Sequence, residues 1–293
     1  MSLTPIGRMM ESAKRGKYAI GYFESWNLES LQGVIDAAEA VRAPVIIGFN
    51  GEFLSQRAGG KPAELALYGA LGKTAAAQAS VPCGFIFNEC ADDPWVEQAI
   101  TAGFNLVMPA DPAATLEDYT RRVARLATLA HGNGVAIEAE IDELPSGSVE
   151  HHGSKTSDPE VAADFVAATG VDLLAVSVGN EHIKLDGRAP LDLTRLEAFH
   201  RRLRIPLVLH GGTGIDDESI RAAVGLGVFK VNYGTYIKQR YLDAVRPALS
   251  STEANPHAIV GGPSGNDLMV IGRRVVRDAV LERIETLGCC GKA

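Results

Sequence analysis

Eight short apolar runs recur along the chain, each followed by a stretch with apolar residues at helical spacing, and this alternation is its strongest constraint. The runs are Tyr18–Phe23, Pro44–Phe49, Pro82–Phe87, Asn105–Met108, Val135–Ala139, Val171–Val178, Pro206–Leu209 and Val228–Val231. They are mostly apolar rather than alternating, the pattern of parallel strands covered on both faces. The stretches between them are Leu28–Val41, Ala63–Ala79, Pro94–Thr101, Thr115–Asn133, Pro159–Thr169, Leu193–Leu203, Asp217–Leu226 and Thr235–Leu249. Many open at Asp, Ser or Pro and several close on Gly, as helices do.

Eight such units in series predict an α/β fold, the count of a closed TIM (β/α)8 barrel. The main rival is an open doubly wound sheet, which calls for G-x-G-x-x-G after the first strand. The residues there are Glu24-Ser25-Trp26-Asn27. Met1–Gly16 reads as an extra helix capping the barrel bottom and Asn266–Leu287 as a C-terminal helix. No linker or low-complexity tract divides the chain, so residues 1–293 are expected to form one barrel domain.

The net charge of −8, from 28 basic and 36 acidic residues, comes with no long basic run. A nucleic-acid partner is therefore not expected. Four cysteines are too few for a disulfide scaffold and none forms a C-x-x-C pair, which fits a reducing, cytoplasmic setting. The first residues lack a signal-peptide core, and no apolar stretch is long enough to span a membrane.

Chemistry in such a barrel gathers where strands end. The residues at those places are Glu24, Asn50, Asn88 and Glu89, Glu138 and Glu140, Asn180, Glu181 and His182, His210, and Asn232. Two histidines and several carboxylates converging on one mouth point to a divalent cation among them. The alternative is that the carboxylates pair with Lys or Arg and the histidines cap loops. The segment Leu209–Ile215 (LHGGTGI), between a strand and a helix opening at Asp216–Asp217, suits an anion: its glycines let backbone N–H groups approach closely and Thr213 adds a hydroxyl. Thr235 starts the helix after the eighth strand, beside the usual phosphate position of these barrels.

These segments make the chain resemble the class II, metal-dependent fructose-bisphosphate and tagatose-bisphosphate aldolases over nearly its whole length. The resemblance rests on LHGGTGI, Val135–Glu140 (VAIEAE), Ser177–His182 (SVGNEH), Lys230–Asn232 (KVN), Ala19–Glu29 (AIGYFESWNLE) and the ending GCCGKA. It implies that His182 and His210 are metal ligands, with Glu140 close to the metal. It further implies that Gly211, Gly212, Thr213 and Thr235 form the anion-binding loops and that Asn232 contacts the substrate near its reacting carbons; Asn50, at the end of the second strand, is also expected to bind substrate.

The chain departs from the family at the centre of the site. Where members carry Asp-His-Gly after the third strand, it reads Asn88-Glu89-Cys90. Asn88 can orient a hydroxyl but cannot serve as a general acid. Glu89 keeps a metal ligand and makes the set harder, so the family's Zn²⁺ is joined by Mg²⁺, Mn²⁺ or Co²⁺ as expected ions. Glu24 stands where the family has Asn, and Gly234 where it has an acidic residue. The loop after the fifth strand becomes Ser146–Lys155, in which Glu150, flanked by His151 and His152, is the candidate base.

The expectation is therefore a metal-dependent aldolase, a C–C lyase of carbohydrate metabolism acting through a metal-stabilised enediolate on a ketose phosphate or related keto-sugar or keto acid. Its metal ligands would be His182, His210, Glu89 and Glu140, and its catalytic residues Asn88, Glu24, Glu150 and Asn232. An isomerase, epimerase or other lyase on the same scaffold is the alternative, and an inactive metal- or sugar-phosphate-binding homologue the third reading. The family implies a homodimer or homotetramer.

Overall fold

The computed structural model describes residues 3–141, 158–181, 187–250 and 252–293. Eight parallel strands close a barrel in sequence order: β1 (Ile20–Glu24), β2 (Val45–Asn50), β3 (Cys83–Cys90), β4 (Leu106–Pro109), β5 (Ala136–Glu140), β6 (Leu173–Ala175), β7 (Leu207–Leu209) and β8 (Val228–Tyr233). Closure comes from β1 pairing with β8, with Tyr22 opposite Asn232. All eight apolar runs supply a strand, because each is sealed inside by the barrel and outside by helices. Phe85 shows the outer packing: it stacks on Phe104 with ring centroids 4.0 Å apart and leaves no room for a side chain at Gly72.

The sixth run differs from expectation. Val171–Val178 stays buried, but only Leu173–Ala175 is strand. Beyond it the Asn180 side chain takes over the backbone hydrogen bonds, accepting from Val178 N (2.8 Å) and donating to Val176 O (3.3 Å) and His210 O (3.1 Å). A side chain that satisfies the backbone locally competes with the strand ladder. A short helix, Gly51–Ser55, also follows β2 directly, capped by Asn50 Oδ1 accepting from Phe53 N at 3.0 Å.

The N-terminal helix is Ile6–Gly16, and Thr4 just before it bonds to Cys83 and Asn105 at the start of β3 and β4. That places it at the barrel bottom. The C-terminal helix Leu268–Leu287 packs against helices Leu28–Ala40 and Thr235–Leu249. Its approach depends on Gly33, where a Cβ would lie 2.6 Å from Arg273 O.

Candidate active site

β3 ends in a break of the strand pattern. Glu89 has φ +55°, in the left-handed region, and the ladder to β4 shifts register between Phe87 and Cys90. Regular alternation would send Asn88 and Glu89 to opposite faces. The left-handed turn at Glu89 instead brings its carboxylate to the mouth, with Oε1 3.0 Å from His210 Nδ1. A non-glycine residue there costs on the order of 1–3 kcal/mol, a strain that marks functional positions. Asn50 Nδ2 donates to Glu89 Oε2 at 2.9 Å and fixes the carboxylate from its other side.

His210 closes β7 and is fully buried. Its Nε2 lies 3.0 Å from Glu138 Oε1, and Glu138, also fully buried, is held by Lys230 Nζ at 2.8 Å. Lys230 in turn donates to Asn232 Oδ1 at 2.6 Å. Burial opposes the charge on Glu138, but Lys230 and His210 outweigh it and hold its pKa below the usual value. A carboxylate can only accept, so Nε2 carries a proton and Nδ1 faces Glu89 and Glu140, whose Oε2 is 3.7 Å away.

The carboxylates around Nδ1 call for positive charge at that point. Burial works against a protonated His210, yet the charges of Glu140 and Glu89 and the bonds to Glu138 and Glu89 raise its pKa to about 10. A divalent cation would meet the same demand: one imidazole nitrogen has two carboxylates near it, and the second ring nitrogen is anchored on a carboxylate, as in metal-binding histidines. The donor chemistry of these side chains suits a cation, although among the described residues no group of three or more His, Cys, Asp or Glu side chains comes together closely enough to hold one. The expected ligand His182 and the expected base Glu150 lie outside the described residues, as do His151 and His152.

The two loops expected to bind an anion come together. Gly211 has φ +64° and its Cβ would lie 2.1 Å from Glu181 O, so glycine is required there twice over. Thr213 Oγ1 accepts from Tyr236 N at 3.0 Å, which docks the Gly212–Gly214 turn onto the helix that Thr235 opens. The Thr213 O–H remains a donor. Two buried amide atoms at the strand ends, Asn88 Oδ1 and Asn232 Nδ2, have no hydrogen-bond partner among the described residues.

Glu24, at the end of β1, accepts from Lys238 Nζ at 2.5 Å. Burial raises its pKa above the ordinary carboxylate value, against the pull of Lys238. Two of the strand-end carboxylates, Glu24 and Glu138, thus do pair with lysines, while Glu89 and Glu140 gather at His210. The sequence pattern assigns no role to Lys230 or Lys238. A lysine within the apolar run Val228–Val231 is the signal that could have found the first; helical spacing offers none for the second.

Comparison with known proteins adds to this geometry. The family model described as fructose-bisphosphate aldolase class-II matches residues 4–292. The chain is 31% identical to a fructose-bisphosphate aldolase of Geobacillus stearothermophilus, covering 100% of this chain and 99% of that protein. It is 27% identical to a sulfofructosephosphate aldolase of Alkalicoccus urumqiensis, covering 97% and 96%. The solved structure of the YdjI aldolase from Escherichia coli K12 matches with a TM-score of 0.81 at 31% identity, covering 99% of each chain.

Proposed function

Because the chain belongs to the class II fructose-bisphosphate aldolase family, and is on that ground an aldolase-type lyase, we propose that it cleaves a ketose phosphate with a bound divalent cation. The observation that carries this reading is the turn of His210: Glu138 holds Nε2, and Nδ1 is left to Glu89 and Glu140. His210, Glu89 and Glu140, with His182, would hold the cation. Carboxylates among the ligands admit Mg²⁺, Mn²⁺ or Co²⁺ beside Zn²⁺. When bound, such an ion supplies Lewis-acid polarisation of the ketose carbonyl and stabilises the negative charge that C–C cleavage leaves on oxygen.

The rest of the chemistry falls to side chains. Gly211, Gly212, Thr213 and Thr235 bind the phosphate through backbone N–H groups and hydroxyls. Asn88 Oδ1 and Asn232 Nδ2 give substrate hydroxyls an acceptor and a donor, which explains two otherwise unpaired buried atoms. Glu24, paired with Lys238, takes the proton from the hydroxyl on the carbon that becomes the aldehyde. Glu150 is assigned the return of a proton to the ketose fragment. Asn50 acts through Glu89 rather than on substrate.

Related aldolases bear names that specify different sugar phosphates, so the donor class is better supported than any one substrate. The test is metal analysis of the purified protein together with retro-aldol assays on ketose phosphates. Chelator should abolish cleavage and Zn²⁺, Mn²⁺ or Co²⁺ should restore it. A metal-free protein working at full rate would overturn the mechanism. Among the described residues no helix is long and apolar enough to cross a membrane.

A further inference from the structure

Lys230 is a fully buried cation inside the barrel. It lies on β8 two residues before Asn232, so both side chains project to the same face of the strand. Its Nζ is 2.8 Å from Glu138 Oε2, donates to Glu138 Oε1 at 3.1 Å and donates to Asn232 Oδ1 at 2.6 Å. Tyr22, opposite Asn232 on β1, covers the ammonium with its ring centroid 5.3 Å away. Stability alone does not account for this lysine, because a buried ion pair is often no more stabilising than apolar residues of the same volume.

The contact with Asn232 fixes what packing cannot. The two ends of a side-chain amide are nearly equal in size, so hydrogen bonds choose which end faces which way. An ammonium has donors and no acceptor, so the end it meets is the oxygen. Among the described residues Lys230 is the one group bonded to the Asn232 side chain, and Asn232 Nδ2 is buried with no partner. The amide is thereby held with its N–H donors left for a substrate oxygen. Glu138, which meets the same Nζ, acts in the opposite sense: with the ammonium gone, an acceptor-only carboxylate draws Nδ2 inward and turns Oδ1 out.

We propose that Lys230 is a positioning residue whose ammonium holds the Asn232 amide with its nitrogen toward the substrate, so that Asn232 acts as a donor during cleavage. This rests on the aldolase reading above and adds to it a residue that acts only through Asn232 and Glu138.

Lys230→Met removes the nitrogen and keeps an unbranched chain. The test is a double-mutant cycle of Lys230→Met with Asn232→Ala at saturating metal, on whichever of fructose 1-phosphate, fructose 1,6-bisphosphate and tagatose 1,6-bisphosphate the wild type cleaves fastest. Asn232→Ala should lower kcat about 100-fold in the wild type, the effect of losing a donor to a developing charge. Lys230→Met alone should lower it about 10- to 100-fold. In the Lys230→Met background Asn232→Ala should cost about tenfold or less, because the donor is already misdirected. Calorimetric Kd for the same sugar should stay within about threefold of wild type in Lys230→Met, as for an interaction made in the transition state.

Equal losses from Asn232→Ala in the two backgrounds overturn the proposal, as does a Kd that weakens in step with kcat, the sign of a mouth distorted as a whole. If Lys230→Met does not fold, Glu138→Gln/Lys230→Met, neutral at both positions, takes its place and Glu138→Gln takes that of the wild type, with the same outcomes expected. A wild type that cleaves none of the three sugars with Zn²⁺, Mg²⁺, Mn²⁺ or Co²⁺ overturns the aldolase reading and this proposal with it. An active wild type with equal losses overturns the proposal alone.

Discussion

His210 Nε2 and Glu138 Oε1 meet 3.0 Å apart with both side chains fully buried, and this contact sets which ring nitrogen faces the mouth. Glu138 is also the counter-ion of Lys230. One carboxylate therefore orients the imidazole and neutralises a lysine inside the barrel.

Glu138→Gln should separate the two roles. The amide leaves Lys230 buried without a counter-charge, which costs about 3–5 kcal/mol by analogy with other broken buried pairs. It also loosens the ring, and metal affinity should fall about 10- to 100-fold, as when other outer-shell partners are removed. Urea unfolding and a metal titration measure these separately. Adding Lys230→Met should recover much of the stability and none of the metal affinity. Equal recovery of both would show that the ring is oriented by something else.

Glu89 predicts an opposition between stability and function. At φ +55° a side chain is strained, and glycine relieves it. Glu89→Gly should therefore exceed Glu89→Ala in unfolding free energy by about 1–2 kcal/mol, the left-handed penalty for a residue with a Cβ. Both should bind metal weakly and lose cleavage by about 100-fold or more if the carboxylate is a ligand. Urea midpoints of the two variants, compared with each other, isolate the backbone effect. Identical midpoints would mean that the strand end relaxes around the substitution.

The barrel was legible in the sequence because its cause is local. Each apolar run buries itself on both faces, so period and composition alone mark it, and all eight runs hold a strand. The sixth strand is shorter than its run because a single amide, Asn180, diverts the backbone bonds, and apolar patterning does not register where a side chain donates. The site was legible as a list of strand-end polar residues but not as partners. Glu24 and Glu138 find lysines on β8 or the helix after it, contacts that closing the ring creates between residues far apart in the chain. The left-handed turn at Glu89 likewise has no sequence sign, since glycine, its usual marker, is absent.

The outer layer of the barrel depends on Phe85, stacked on Phe104 and fully buried. Phe85→Ala should destabilise the fold by about 3–5 kcal/mol, the range for deleting a buried aromatic ring. The ring faces Gly72 on the covering helix, away from the His210 cluster. Metal affinity measured well below the melting temperature should therefore stay within a few-fold of wild type, which a metal titration at low temperature would check.

Asp267 links the C-terminal helix to pH. Its Oδ1 accepts from Met269 N at 2.8 Å and Val270 N at 3.3 Å, and its Oδ2 from Gly262 N at 2.9 Å. These backbone donors, Gly262 first, favour the charged carboxylate and hold its pKa below the ordinary 3.8. With the folded value below the unfolded one, the cap's contribution is fully present above about pH 4 and is lost as pH falls through the folded pKa. The Asp267→Asn protein lacks this titration. Its melting temperature should lie below wild type at neutral pH, and the gap should shrink as both are taken below pH 4. Thermal melts of the pair across pH 2.5–7 give the test, and a gap that stays constant would place the effect in packing rather than in charge. The helix covers helices Leu28–Ala40 and Thr235–Leu249, and the latter carries Thr235 and Lys238 to the mouth.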